Sequence, residues 1–125
     1  MKFTKLVPNV FYTDIKTGLK LFVECHGFAI TYDDLNSGNP FCVVQKDGLA
    51  LHLIQSEEFA AKDRPELRLE TEDIETVYSH VKENFPELLH PNSKQVTLKP
   101  WKAKEFALLD ESGVCLVVQE WMNPL

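Results

Sequence analysis

Along this chain the hydrophobic spacing passes from alternating to helical and back, twice, and aspartates and glycines mark the changes. Leu6–Tyr12 (LVPNVFY) predicts a short strand, with Pro8 placing it at an edge, a bulge or a strand start. Asp14 can cap a helix over 15–26, in which Ile15, Leu19, Phe22, Val23 and His26 share roughly one face. Gly18 weakens that helix, and Gly27 is placed to end it in the left-handed conformation. Phe28–Tyr32 reads as a strand and 33–40 as a polar turn. FCVVQ (41–45) and LALHLIQ (49–55) flank Lys46-Asp47-Gly48, a strong hairpin signal.

After a polar linker at 56–65 the pattern restarts. Glu66–Thr71 (ELRLET) alternates strictly and predicts a strand. Asp73 can cap a second helix with Ile74, Val77, Tyr78 and Val81 on one face. Residues 84–103 hold Pro86, Pro91 and Pro100 and predict irregular chain, with short extended pieces around Leu88–Leu89 and Gln95–Lys99. Phe106–Leu109 and Val114–Trp121 predict a closing hairpin around the turn 110–113.

The order strand, helix, strand, strand, strand therefore appears twice. Asp14 and Asp73 each open a helix, 59 residues apart (73 minus 14), and Gly48 and Gly113 each close the last hairpin turn, 65 apart (113 minus 48). The second module carries six more residues (65 minus 59), assigned to its proline-rich segment. One module alone buries its sheet poorly. The expectation is a single α+β domain of two βαβββ modules, about 1–56 and 65–125 with a linker at about 57–64. Their strands would form a curved, mostly antiparallel mixed sheet with helices on its outer face, leaving a concave face for a ligand.

Composition narrows the function. A net charge of −6 argues against nucleic-acid binding and mildly favours a cationic ligand. No run approaches the roughly 18 apolar residues of a membrane span. Three cysteines, Cys25, Cys42 and Cys115, without CxxC spacing read as reduced thiols and a cytoplasmic setting.

The segment Pro100-Trp101-Lys102-Ala103-Lys104-Glu105-Phe106-Ala107-Leu108-Leu109-Asp110-Glu111-Ser112-Gly113 resembles the PWGxREFALxDPxG segment of bleomycin-resistance-like proteins. These belong to the vicinal-oxygen-chelate superfamily of glyoxalases, bleomycin-resistance proteins and extradiol dioxygenases. Lys102 stands where that segment has glycine, and Ser112 departs from the residue common before the last glycine, so the loop after Trp101 is expected to differ. The resemblance implies a metal ligand on the first and last strand of each module, seven residues before the helix-opening aspartate and four after the hairpin glycine. Those positions are Val7, His52, Glu66 and Val117. Two are hydrocarbon, and a tight divalent site takes three or four protein ligands, so no superfamily-type metal and no other cofactor is expected.

If Glu66 faces the cleft, alternation brings Arg68 and Glu70 with it; Ala50, His52 and Ile54, Val7, Asn9 and Phe11, and Cys115, Val117 and Gln119 are the matching positions elsewhere. Two readings stay open for Arg68 and Glu70, ligand contact or plain solvation, and His52 reads equally as a hydrogen-bonded interior residue. The resemblance places Trp101 in a groove that holds a flat aromatic group, and Tyr32 and Phe41 flank a turn that can rim it. The ligand-binding candidates are thus His52, Glu66, Arg68, Trp101, Phe11, Phe41 and Gln119, for a small organic molecule, cationic or aromatic. Family analogy further implies a homodimer with shared pockets, in which His52 and Glu66 meet across the subunit boundary. The expected function is metal-independent sequestration of that molecule; the alternative is a glyoxalase-like lyase or transferase with His52 or Glu66 as base.

Overall fold

In the computed structural model the described residues are 1–123. They divide into two compact units, with the boundary between Arg64 and Pro65. Each unit carries one four-stranded mixed sheet, in the orders β1-β4-β3-β2 and β5-β8-β7-β6.

In the first unit β1 (Asn9–Tyr12) leads through the Asp14 cap into α1 (Ile15–Leu19), which widens directly into a π-helical stretch, Lys20–Cys25. The Asp14 carboxylate accepts from the Lys16 backbone N–H at 3.0 Å. Gly27 takes φ 75°, as a helix-ending glycine should. Gly18 does more than weaken the helix: a Cβ there would lie 2.5 Å from Cε2 of the buried Tyr12 ring, so only glycine lets α1 settle against β1. β2 (Ala29–Asp34), β3 (Phe41–Lys46) and β4 (Leu49–Gln55) complete the sheet. Asp47 and Gly48, at φ 54° and 79°, form a two-residue turn between the paired Lys46 and Leu49; such positive angles match the right-handed twist of a hairpin. One side of this sheet holds Val10, Tyr12, Cys42, Val44, Leu51 and Leu53, all buried; Ile15, Leu21, Phe22 and Cys25 of the helical segment are buried with them. This side is the core of the unit.

The expected linker is not all linker. Residues Glu57–Lys62 form α2, capped by the Ser56 hydroxyl, which accepts from the Phe59 N–H at 3.3 Å. Phe59 packs on Phe11 with ring centroids 5.1 Å apart, and Lys62 lies over the Phe59 ring. Arg64 donates to the Phe11 carbonyl at 2.6 Å, so 57–64 belongs to the first unit.

In the second unit β5 (Glu66–Glu70) precedes α3 (Ile74–Asn84), whose Asp73 cap accepts from the Thr76 N–H at 3.3 Å. Of the short extended pieces expected, β6 (Thr97–Leu98) lies within 95–99 and Leu89 forms an isolated antiparallel bridge to Leu108, while Leu88 ends a 3-10 turn, Pro86–Leu88. β7 (Ala103–Leu109) begins three residues earlier than the hydrophobic pattern suggests, and β8 (Cys115–Trp121) closes the sheet. Tyr78 of α3 meets Phe106 edge-on at 5.2 Å, and Ile74, Val81, Leu108, Leu116 and Val118 are buried on the same side.

The internal repeat survives in the strand registers. Asn9 pairs with His52 and Arg68 with Val117, both in parallel. The paired positions lie 43 residues apart in the first unit (52 minus 9) and 49 in the second (117 minus 68). The difference is the same six residues that separate the helix caps from the hairpin glycines. The landmark spacing matches His52 to Val117 and Val7 to Glu66, although Val7 lies before β1 and outside its ladder.

Candidate functional site

Strict alternation on β5 places Leu67 and Leu69 opposite Leu116 and Val118 on the helix side, and Glu66, Arg68 and Glu70 opposite Cys115, Val117 and Gln119 on the other. On β7, Glu105 and Ala107 pair with Gln119 and Val117 and share that second face. The chain before β7 is tied down alongside. The His90 N–H donates to the Ala107 carbonyl at 2.9 Å and the Ala107 N–H to the Ser93 carbonyl at 3.2 Å. The result is a cleft of about 280 Å³ lined by Glu66, Arg68, His90, Ser93, Lys99, Trp101, Glu105, Ala107, Cys115 and Val117.

Glu105 is the polar centre of this cleft. It is 4% exposed, and a buried carboxylate costs several kcal/mol unless it is well paired, roughly as for any ion removed from water. Three donors meet on one of its oxygens, Oε2. The Trp101 indole Nε1–H and the Gln119 side-chain amide each donate at 2.7 Å, and the Arg68 guanidinium at 3.2 Å. Arg68 keeps 45% of its side chain exposed, so it neutralises Glu105 while its far edge remains wet. Trp101 itself is 49% exposed, its edge tied down and much of its ring open.

The loop that presents Trp101 keeps a glycine-like conformation. Lys102 has φ 69°, where L-residues are strained, and its N–H donates to the Lys99 carbonyl at 3.0 Å. Lys102 thus holds a left-handed backbone that glycine would adopt without strain.

Cys115 lines the cleft beside Glu66. Burial pushes its thiol above the usual range, the Glu66 carboxylate pushes it further, and Arg68 partly opposes both. Cys42 is raised by burial and by Asp33. Neither thiol is primed as a nucleophile.

Of the residues singled out from the sequence, Glu66, Arg68 and Trp101 line the cleft, and Gln119 touches it through Glu105. Phe11, Phe41 and His52 lie in the first unit. There Asn9, His52 and Val43 are laterally paired, the Phe41 ring is 5.8 Å from His52, and Tyr32 is 5.3 Å from Phe41. Tyr32, Phe41 and His52 form an aromatic cluster on the side of their sheet away from its core, while Phe11 packs on Phe59. The two groups are parts of separate units. Sequence reading missed Glu105, His90, Ser93 and Lys99. Glu105 was legible in principle: once Phe106 faces the helix, its neighbour must face the cleft. The other three depend on how the 84–103 segment lies, which has no periodic signal.

Of the four positions that the resemblance implies for a metal, two carry side chains able to ligate one. Those positions hold Val7, His52, Glu66 and Val117, and the strand registers keep the six-residue offset between the halves. Val117, 6% exposed on the cleft face beside Arg68, offers no lone pair where a last-strand ligand should stand.

No protein-family model and no curated protein matches the sequence. Solved structures do match. An antibiotic-binding protein from Streptomyces sp. CB03234 is 17% identical over 96% of this chain and 98% of its own, with a TM-score of 0.74. A bleomycin-binding protein complexed with bleomycin is 20% identical over 93% and 97%, with a TM-score of 0.70. A glyoxalase family protein from Enterococcus faecalis is 16% identical over 95% and 97%, with a TM-score of 0.69. The chain thus has the fold of the vicinal-oxygen-chelate superfamily, in the form seen in bleomycin-binding and glyoxalase family proteins.

Proposed function

We propose that this protein binds and sequesters a small organic molecule with a flat aromatic part, without a metal, in the cleft of the second unit. The observation that carries the reading is the half-exposed Trp101 ring beside an otherwise satisfied polar centre at Glu105. An open indole face gains from stacking, and more from stacking on a cationic or electron-poor ring. Glu66 and Lys99 at the lining supply one charge of each sign to orient polar substituents. The names of the similar structures, antibiotic-binding and bleomycin-binding, support the same class of ligand. Phe41 and His52, with Phe11 on the same face of the first unit's sheet, are the matching half-site in a cytoplasmic homodimer with shared pockets. The free state of Cys25, Cys42 and Cys115 suits the reducing compartment.

The test is a thermal-shift and calorimetry screen of chelator-treated protein against bleomycin, proflavine and neutral and anionic planar aromatics. A ligand present at 100 times its Kd stabilises by about 2.7 kcal/mol, a rise of roughly 10 °C. Trp101→Ala should weaken binding about tenfold or more. Silence across the whole panel, or binding that appears only after a divalent metal is added, overturns the reading. Sedimentation measurements settle the dimer separately.

A further inference from the structure

A half-exposed tryptophan on a loop can ordinarily change rotamer, and burial covers only about half of Trp101. Its orientation is set at the edge by a hydrogen bond from its indole N–H to Glu105 Oε2 at 2.7 Å. The same oxygen also takes the Gln119 amide and the Arg68 guanidinium. Glu105 sits on a central strand, with Thr97 of β6 on one flank and Gln119 of β8 on the other, so its own position is fixed by two ladders. Apolar side chains of similar volume commonly replace buried ion pairs with no loss. A carboxylate does what hydrocarbon cannot: it gathers three donors from three separate segments onto one point.

We propose that Glu105 is a positioning residue that sets the Trp101 ring and the Arg68 guanidinium in their binding orientations before any ligand arrives. The inference rests on the cleft being the binding site. Its ligand-free part stands independently, because the orientation of the indole is a property of the protein alone. The consequence for binding is preorganisation: the ligand meets a ring already immobilised, so it does not bear that ordering cost.

The chain has two tryptophans, Trp101 and Trp121, so each indole N–H resonance can be assigned by a single Trp→Phe variant. In ligand-free wild type the Trp101 indole proton should be shifted downfield and exchange slowly with water, as a short bond to a carboxylate requires. Glu105→Gln keeps an acceptor oxygen and should return most of the ring order while moving the resonance upfield. Glu105→Leu should free the ring, giving a sharp, fast-exchanging indole signal and several-fold greater quenching of Trp101 fluorescence by acrylamide in a Trp121→Phe background. Proflavine should then bind about threefold to tenfold more weakly to Glu105→Leu than to wild type, with Glu105→Gln between them. If Glu105→Leu does not fold, Glu105→Gln alone decides through the resonance. An indole signal indifferent to Glu105→Gln, or fast-exchanging already in wild type, overturns the proposal. Failure of proflavine to bind wild type counts against the binding site, while the indole signature still decides the role of Glu105.

Discussion

Replacing Gly18 with alanine should destabilise the first unit, although helix propensity alone predicts the reverse. In a free helix Gly→Ala gains about 1 kcal/mol. Here the added methyl carbon would stand 2.5 Å from Tyr12 Cε2 and 2.9 Å from both Cδ2 and Cζ. Restoring an ordinary contact of roughly 3.5–4 Å requires the ring to move by about 1 Å. Tyr12 is fully buried on β1 and has no open space to move into. Overpacking of this kind costs about 1–3 kcal/mol, and three close ring atoms put Gly18 near the upper end. Net of the helix gain, the loss is about 2 kcal/mol, or roughly 8 °C in Tm. Urea denaturation followed by circular dichroism measures it directly. The Tyr12→Leu background removes the ring, and there Gly18→Ala should turn neutral or stabilising, so the two substitutions will not add. Stabilisation of the otherwise wild-type protein by Gly18→Ala would refute the reasoning.

Further outcomes follow from the same geometry. Lys102→Gly should stabilise by about 0.5–1 kcal/mol, because φ 69° strains lysine and not glycine; a loss in urea midpoint would contradict this. Cys115 should alkylate slowly at neutral pH because its raised pKa leaves little thiolate, whereas Glu66→Gln should speed the reaction with iodoacetamide and Arg68→Met should slow it. Equal rates in all three proteins would show that Glu66 and Arg68 do not act on the thiol. The Asp73 carboxyl is held below its usual range by the Thr76 hydroxyl and backbone N–H. Its cap on α3 is therefore complete above the ordinary aspartate range and is lost as pH falls through the depressed folded value, which a carboxyl NMR titration reads. An Asp73 titration at the ordinary aspartate value would contradict the bond.

Much of the fold was legible because its signals are local. Asp47-Gly48 specifies a two-residue turn, Asp14 and Asp73 cap helices, and the six-residue offset between landmarks reappears in the strand registers. What sequence reading missed depends on contacts distant in the chain. α2 is short and polar, and its Phe59 is anchored by Phe11, far back on β1. The start of β7 carries Lys104 and Glu105, which read as loop until Arg68 and Gln119, from two other strands, account for the buried carboxylate. Gly18 looked like a weak point in a helix, since its reason lies in the Tyr12 ring. The site was legible to the extent that alternation governs it: Glu66 and Arg68 follow from ELRLET, while His90 and Lys99 come from a segment whose path no period specifies.

The central claim is that the Trp101 cleft takes a flat organic ligand with no metal present. Its most direct test is an NMR titration of chelator-treated, isotope-labelled protein with proflavine and with bleomycin. The account predicts saturable shifts at the Trp101 indole and at the backbone of Glu66, Arg68 and Cys115, unchanged when zinc or manganese is added. A spectrum that stays still until a metal is supplied, or shifts that cluster away from these residues, would contradict it.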